Sequence, residues 1–283
     1  MAIQSIGLMD KINPKDGAIL KEVFEKGTPQ RTRIIVRDTD TGEILADREN
    51  KIIITGSLLQ ACYAFNLESP DHTIPTYNEE MDLDNSVDKG AVPDNPECVC
   101  LFCVDDSGCG ALPTEVKVVN FTDRISPETI MPFRYVNENE DLSEDLRKYY
   151  YGRKTIPELG KIAYYFKAFD TEPQLFLKYA DGTMINGEEI WNTSTSQAAE
   201  CFVETRLRIN RYDLRDYFEQ VLGWEKARIS SISLCYAWYK DYIEEGNNHH
   251  YFQNIMPYTK LNFPLNWLVD LTKSLEFQYQ IFY

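Results

Sequence analysis

The clearest alternation of apolar and polar residues lies at the end of the chain. Its apolar members are Leu275, Phe277, Tyr279, Ile281 and Tyr283, and its polar members are Glu276, Gln278 and Gln280. A period of two predicts a β-strand with one apolar and one polar face. Because the pattern runs to the last residue, we expect this strand to be held in a sheet and not to fray.

Further strands are predicted along most of the chain by the same alternation and by β-branched or aromatic runs. These runs occupy residues 51–55, 98–104, 116–121, 161–169, 175–179, 201–209 and 232–238. Turn-forming residues 38–42 (DTDTG), between strand formers at 33–36 and 43–45, predict a β-hairpin. Asp181-Gly182 predicts a second tight turn, into a strand at 183–185.

Helix signals are fewer and shorter than strand signals. Ser57 can cap a helix at its N-terminus, charges at 141–151 match a helix dipole, and Asp213 can cap a helix that runs to Leu222. The strands do not follow the regular spacing of βαβ units. We therefore predict an α+β fold, mostly antiparallel β, with sandwich-like sheets and a few short helices.

Two segments differ from the rest of the chain. Residues 1–30 lack a regular period and are predicted to be an N-terminal arm, followed by a β-rich domain at 31–283. Within that domain, residues 68–97 hold nine acidic side chains, one lysine and four prolines. This composition predicts a long acidic loop or insertion, which is either a plain surface loop or a partner-binding arm.

Composition narrows the class of partner. Hydrophobic residues make up 43% of the chain, which is typical of a globular protein, and no apolar run is long enough for a transmembrane helix. The formal charge of −16 disfavours direct binding to DNA or RNA.

The first 17 residues lack a secretory signal pattern, so we expect production in the cytoplasm. The 18 tyrosines and 14 phenylalanines suit either protein contact surfaces or a β-rich core.

Four cysteines within twelve residues are the strongest candidate for a metal site. Cys98, Cys100, Cys103 and Cys109 could in principle bind zinc, but their spacing differs from the paired knuckles of structural zinc sites. In a regular strand, Cys98 and Cys100 share one face and Cys103 lies on the other. We therefore expect free thiols and no metal at this cluster.

Other candidate sites are weaker. Asp82, Asp84, Ser86 and Asp88 are spaced like the start of a calcium-binding loop, but the glycine and glutamate that such a loop needs are absent. His249 and His250 lie in a polar run that favours a surface loop. The chain has no G-x-S-x-G, phosphate-binding glycine loop or H-E-x-x-H, although the sequence alone does not exclude a dispersed Ser-His-Asp triad. We predict no catalytic, cofactor-binding or metal-binding residue, and a protein that is not an enzyme.

A set of short phrases carries a resemblance to a known class of protein. The phrases are residues 50–57 (NKIIITGS) before an amphipathic helix, 100–104 (CLFCV) leading to Gly108-Cys109-Gly110, 123–127 (DRISP) with 131–135 (MPFRY), 213–218 (DLRDYF), and 259–264 (TKLNFP) through 270–273 (DLTK). Together they resemble virion structural proteins of large tailed bacteriophages, of the tail, baseplate or neck type. The resemblance covers most of the chain, from about residue 50 onward.

This resemblance implies a part of the virion that is present in many symmetric copies and has no enzymatic activity. Its partners would be further copies of itself and other tail, baseplate or neck proteins, with no direct contact to nucleic acid or membrane. The cysteine-rich stretch would be an ordinary apolar strand before a glycine-rich turn. The alternative is a phage fibre or capsid decoration protein that binds host surface glycans, which the tyrosine and tryptophan content would suit.

Overall fold

The structure, a computed structural model, describes residues 31–53, 55–56, 59–60, 76–84, 97–112, 115–120, 122–186, 189–192, 198–244, 247–263 and 274–282. The predicted arm at 1–30 and most of the predicted helix after Ser57 lie outside these residues. Within the described residues, no helix has the length and apolar character needed to span a membrane.

Thirteen strands form the framework of the described chain. They are β1 Arg31–Asp38, β2 Ile44–Ile52, β3 Glu97–Asp105, β4 Arg134–Asn137, β5 Tyr150–Ile156, β6 Lys161–Ala168, β7 Gln174–Tyr179, β8 Met184–Asn186, β9 Ala198–Ile209, β10 Ser231–Glu244, β11 Asn247–Pro257, β12 Thr259–Asn262 and β13 Leu275–Phe282. The α-helices whose bounds lie within the described residues are Tyr77–Met81, Glu144–Arg147, Glu189–Asn192 and Arg215–Tyr217, the last continued by a π-helix at Phe218–Leu222. Single 3₁₀ turns occupy Glu138–Glu140, Pro157–Leu159 and Trp224–Lys226.

The strands pair in the order β4-β6-β3-β10-β12-β2-β1-β13-β9-β7-β8, with β11 added to β10 and β5 added to β6. All of these pairings are antiparallel. The short strand β12 contacts both β10 and β2, so it joins two curled sheets into one hydrogen-bonded path. The predicted α+β fold, mostly antiparallel β with few short helices, is confirmed.

The strand β13 lies in the middle of one sheet. It pairs with β1 on one side and with β9 on the other along almost its whole length. Its side chains alternate between buried and half-buried positions, and Phe277 and Tyr279 are completely buried in the main core. The alternation in the sequence therefore predicted both the strand and the face that it buries.

Both predicted tight turns are confirmed. In the turn between β1 and β2, the Asp38 carboxylate accepts hydrogen bonds from the backbone N–H groups of Asp40 and Thr41. Gly42 then takes a φ of +72°, which favours glycine. The turn between β7 and β8 places Gly182 at a φ of +90°, and the Asp181 side chain accepts from the N–H of Thr183.

Three predicted elements are wrong. The helix expected at 141–151 is only the single turn Glu144–Arg147, because the buried aromatic pair Tyr150 and Tyr151 begins β5 instead. The strand expected at 116–121 is reduced, in the part of it that is described, to an isolated bridge between Val116 and Cys109. The run predicted at 51–55 does not form a strand of its own, since its first two residues complete β2.

Candidate functional site

Within the described residues, the hairpin of β10 and β11 extends beyond the strands that flank it. The described part of β3 pairs with β10 as far as Trp238, whereas β11 continues to pair with β10 as far as Glu244. We call residues 239–244 and 247–252 the distal hairpin. Across the described residues its two strands pair only with each other, so the outer edges of residues 239–244 and 247–251 have no partner strand there.

A β-bulge lies at the base of the distal hairpin. Tyr236 pairs with Met256 and Trp238 with Gln253, so Ala237 on β10 faces two residues of β11. One of these, Asn254, has a φ of +54°, a left-handed conformation that asparagine adopts more readily than most residues. Because a bulge bends its strand and increases the local twist, it sets the direction in which the distal hairpin leaves the sheet.

The side chain of Asn78 holds the backbone of this bulge through two hydrogen bonds. Its side-chain Oδ1 accepts a hydrogen bond from the N–H of Ile255 at 2.8 Å, and its Nδ2 donates to the carbonyl of Phe252 at 3.1 Å. All three residues are buried. The ring of Tyr151 packs edge-on against Phe252 at a centroid distance of 4.7 Å. The base of the hairpin is therefore held in the core.

The helix that carries Asn78 corrects one expectation about residues 68–97. Of that range, residues 76–84 are described together with Glu97, which begins β3. A capping box between Thr76 and Glu79 stabilises the N-terminus of this helix. Tyr77 and Met81 are buried on the side of the helix that faces the core. Tyr77 also donates a hydrogen bond to the carbonyl of Ile125 at 2.7 Å. One face of this helix therefore belongs to the core, whereas Glu79, Glu80 and Asp82 are exposed.

The acidic residues that resemble a calcium loop are used differently. One oxygen of Asp84, Oδ2, accepts from Arg153 Nη1 at 2.5 Å and from the hydroxyl and N–H of Thr155 at 2.6 and 3.0 Å. Asp84 is therefore not a solvated acid of a surface loop, because it forms a partly buried ion pair with Arg153. Ser86 and Asp88 lie outside the described residues.

His249 and His250 lie on β11, so the expectation of a loop is wrong for them. They pair with Tyr242 and Asp241 of β10 within the distal hairpin.

The four clustered cysteines divide between a bulged strand and the turn that follows it. Leu101 pairs with Cys235 and Val99 with Tyr236, which makes Cys100 the extra residue of a β-bulge. The expected alternation is therefore wrong, because Cys100 packs against the same apolar cluster that contains Cys103. Cys109 lies apart from them, and its thiol donates to the carbonyl of Phe263 at 3.1 Å.

The thiols of Cys103 and Cys235 are completely buried and 3.8 Å apart. Burial raises the pKa of the Cys103 thiol well above its usual range, which disfavours the thiolate that metal binding and oxidation need. Cys103 pairs with Ser233, so it lies diagonally to Cys235, and diagonal neighbours are generally too far apart for a disulfide. Among the described residues, no three His, Cys, Asp or Glu side chains form a group suited to a metal ion.

A second polar cluster lies inside the main core. Lys167 of β6 and Asp213 form an ion pair of 2.7 Å between Nζ and Oδ2, with side chains 1% and 0% exposed. Tyr150 donates its hydroxyl proton to Oδ1 of Asp213 at 2.6 Å, and the N–H of Asn210 donates to Oδ2 at 2.8 Å. Lys167 also donates to the carbonyl of Arg208 at 2.5 Å. Burial, reinforced by Asp213, raises the pKa of Tyr150 and keeps its hydroxyl protonated.

This cluster overturns the predicted helix cap. The residue before the helix Arg215–Tyr217 is Leu214, at a φ of +64°, and no side chain caps the helix there. Asp213 faces inward and pairs with Lys167. Leaving a fully buried lysine without an anionic partner would cost more free energy than leaving an exposed helix end without a cap. The periodicity of the sequence does not predict that Lys167 is buried, because a lysine in an apolar strand is normally assigned to the exposed face.

Comparisons with protein-family models, with curated proteins and with solved structures each find no match for this chain.

Proposed function

We propose that this chain is a non-enzymatic structural protein of a tailed-bacteriophage virion. In this proposal it assembles in multiple copies with itself and with other tail, baseplate or neck proteins. The observation that carries the proposal is the distal hairpin, a two-stranded extension with a fixed base, whose two edges pair with no further strand among the described residues. The phrases that resemble phage virion proteins are independent support from the sequence.

The open edges suit addition of a strand from another copy. A strand that joins an existing sheet forms main-chain hydrogen bonds in register, and this is a common mode of protein association. From residue 239 to residue 244 the distal hairpin spans about 17 Å at the usual rise of a strand. A monomeric protein normally protects a strand edge from pairing with other chains. A long hairpin whose base is held in the core and whose edges are unprotected within the described part of the chain is therefore suited to pairing with a strand of another copy.

Charge determines which contacts can hold copies together. Each copy carries a formal charge of −16, so neighbouring copies repel each other at low ionic strength. Main-chain hydrogen bonds do not depend on the sign of the surface charge. At about 0.1 M salt, the repulsion between exposed charges that are farther apart than about 10 Å is largely screened. We therefore expect self-association to strengthen as salt is added. Residues 1–30 and 68–97 remain further candidates for contacts between subunits.

The test is a chain with a shortened hairpin. Residues 241–250 are replaced by Asn-Gly, which joins the paired residues Lys240 and Tyr251 through a two-residue turn and keeps the register. Sedimentation velocity and negative-stain images are recorded over a concentration series at high ionic strength. We expect rings or tubes from the unaltered chain and monomers from the shortened one, with equal melting temperatures. An unaltered chain that stays monomeric, or a shortened chain that assembles equally well, would contradict the proposal.

A further inference from the structure

Lys167 and Asp213 bring an amine and a carboxyl group together in a site without water access. The two side chains are 1% and 0% exposed, and their Nζ and Oδ2 atoms lie 2.7 Å apart. Removing both charges from water is costly, and moving one proton along this hydrogen bond gives a neutral amine beside a neutral acid. A neutral amine is a nucleophile, and the acid carbon Cγ next to it is its natural target.

The surroundings of Asp213 match those of an acyl-transfer site. Tyr150 donates to one carboxyl oxygen at 2.6 Å and the N–H of Asn210 donates to the other at 2.8 Å. Donors fixed in this way stabilise the negative charge that develops on oxygen when a nucleophile attacks the carbon. Burial raises the pKa of Asp170, a second carboxyl on which the charges of Lys167 and Asp213 act in opposite directions.

We propose that Lys167 and Asp213 join covalently in an intramolecular isopeptide bond. The lone pair of Nζ attacks Cγ and forms the N–C bond, and the C–O bond to the acid hydroxyl breaks. That hydroxyl leaves with one proton from Nζ as water, and the amide nitrogen keeps the other proton. No oxidant, reductant or further reactant is required. Fixed proximity supplies an effective concentration of about 10⁵ M or more, and the dry core removes the water that would reverse the step.

The bond would connect two parts of the chain 46 residues apart. Like a disulfide, it would restrict the unfolded chain and raise the melting temperature, but reductants would not break it. Both groups belong to one chain, so the inference does not depend on assembly. A failure of either proposal would leave the other standing.

The experiment is the intact mass of the purified, denatured full-length chain. We expect a mass lower than the sequence mass by one water. Trypsin cannot cleave after an acylated lysine, so the digest should contain a branched peptide of residues 162–178 joined to residues 212–215. An intact mass equal to the sequence mass would overturn the proposal. Loss of water without the branched peptide would also overturn it, since an aspartate succinimide gives the same mass.

The chain contains its own matched control. Lys178 Nζ and Glu200 Oε2 form an ion pair of 2.9 Å with side chains 44% and 33% exposed, and there we expect normal cleavage after Lys178. Lys167→Arg keeps the charge but should show the full sequence mass. Asp213→Asn should lose ammonia and give the same branched peptide. Either variant can fold poorly because it disturbs a buried pair, but the mass of the unaltered chain decides the question without them.

Discussion

The side chain of Asn78 holds the backbone of Ile255, with its Oδ1 accepting the N–H of that residue at 2.8 Å. Its Nδ2 binds the carbonyl of Phe252 on the other side of the β-bulge. A short helix on an otherwise acidic segment thereby sets the angle at which the β10–β11 hairpin leaves the sheet. This contact connects the packing of the core to the surface that we propose for assembly.

Asn78→Ala should weaken the base of the hairpin. Two buried hydrogen bonds are lost and two backbone groups are left without these partners, so we expect a loss of about 2–4 kcal/mol in the free energy of unfolding. Urea denaturation measures this loss. Glu80→Ala, on the same helix, removes only a partly exposed ion pair with Arg124 and should cost about 1 kcal/mol or less. Equal losses in the two variants would show that the hydrogen bonds of Asn78 add no stability of their own.

Removal of residues 275–283 should prevent folding. This deletion takes β13 from between β1 and β9 and removes the buried side chains of Phe277 and Tyr279. At about 1.5–3 kcal/mol for each buried side chain, the loss rivals the whole stability of a typical domain. A milder version is Phe277→Ala, for which we expect a loss of about 3–5 kcal/mol, against Glu276→Gln as a nearly neutral control. A truncated chain with an unchanged melting temperature would refute the central position of β13.

The clustered thiols should bind no metal. Cys100 and Cys103 pack in an apolar cluster, and the thiol of Cys109 is engaged with a backbone carbonyl. Elemental analysis of protein purified without chelator should find far less than one zinc ion per chain. A stoichiometric metal that is lost on denaturation would contradict this interpretation of the cluster.

Tyr164 should make the fold sensitive to alkali. Burial and the hydrogen bond to Asp141 raise the pKa of Tyr164 above its ordinary value of 10.0. The folded chain therefore holds this proton more tightly than the unfolded chain, and the resulting stability is present below pH 10 and lost above it.

The measurement is the free energy of unfolding against pH for the unaltered chain and for Tyr164→Phe. Above the ordinary tyrosine pKa, we expect the unaltered chain to lose up to about 1.4 kcal/mol more per pH unit than the variant. Tyr149→Phe, at an exposed position, is the control for the removal of a phenol hydroxyl. Parallel curves for the unaltered chain and Tyr164→Phe would contradict the argument.

The sequence predicted those elements whose pattern is local. The strand at 275–283 alternates regularly, and the turn at 38–42 has an aspartate and a glycine where the backbone needs them. Elements that depend on distant partners were missed. The polar run around His249 and His250 favours a loop in the sequence, because its pairing is set by β10. The strand that contains Lys167 is predicted correctly, but the burial of Lys167 depends on Asp213, 46 residues away, and is not predicted.

Hydrogen exchange across the distal hairpin tests the proposed assembly most directly. In a two-stranded hairpin, alternate backbone N–H groups point outward and exchange with solvent. We predict that the outward N–H groups of residues 239–244, 247–252 or both exchange rapidly in dilute, monomeric protein and become protected in concentrated, assembled protein. Amides in β13 are the internal control, since they lie between two strands in both states. Equally fast exchange of the outward amides in both states would contradict the account of this hairpin as an assembly arm.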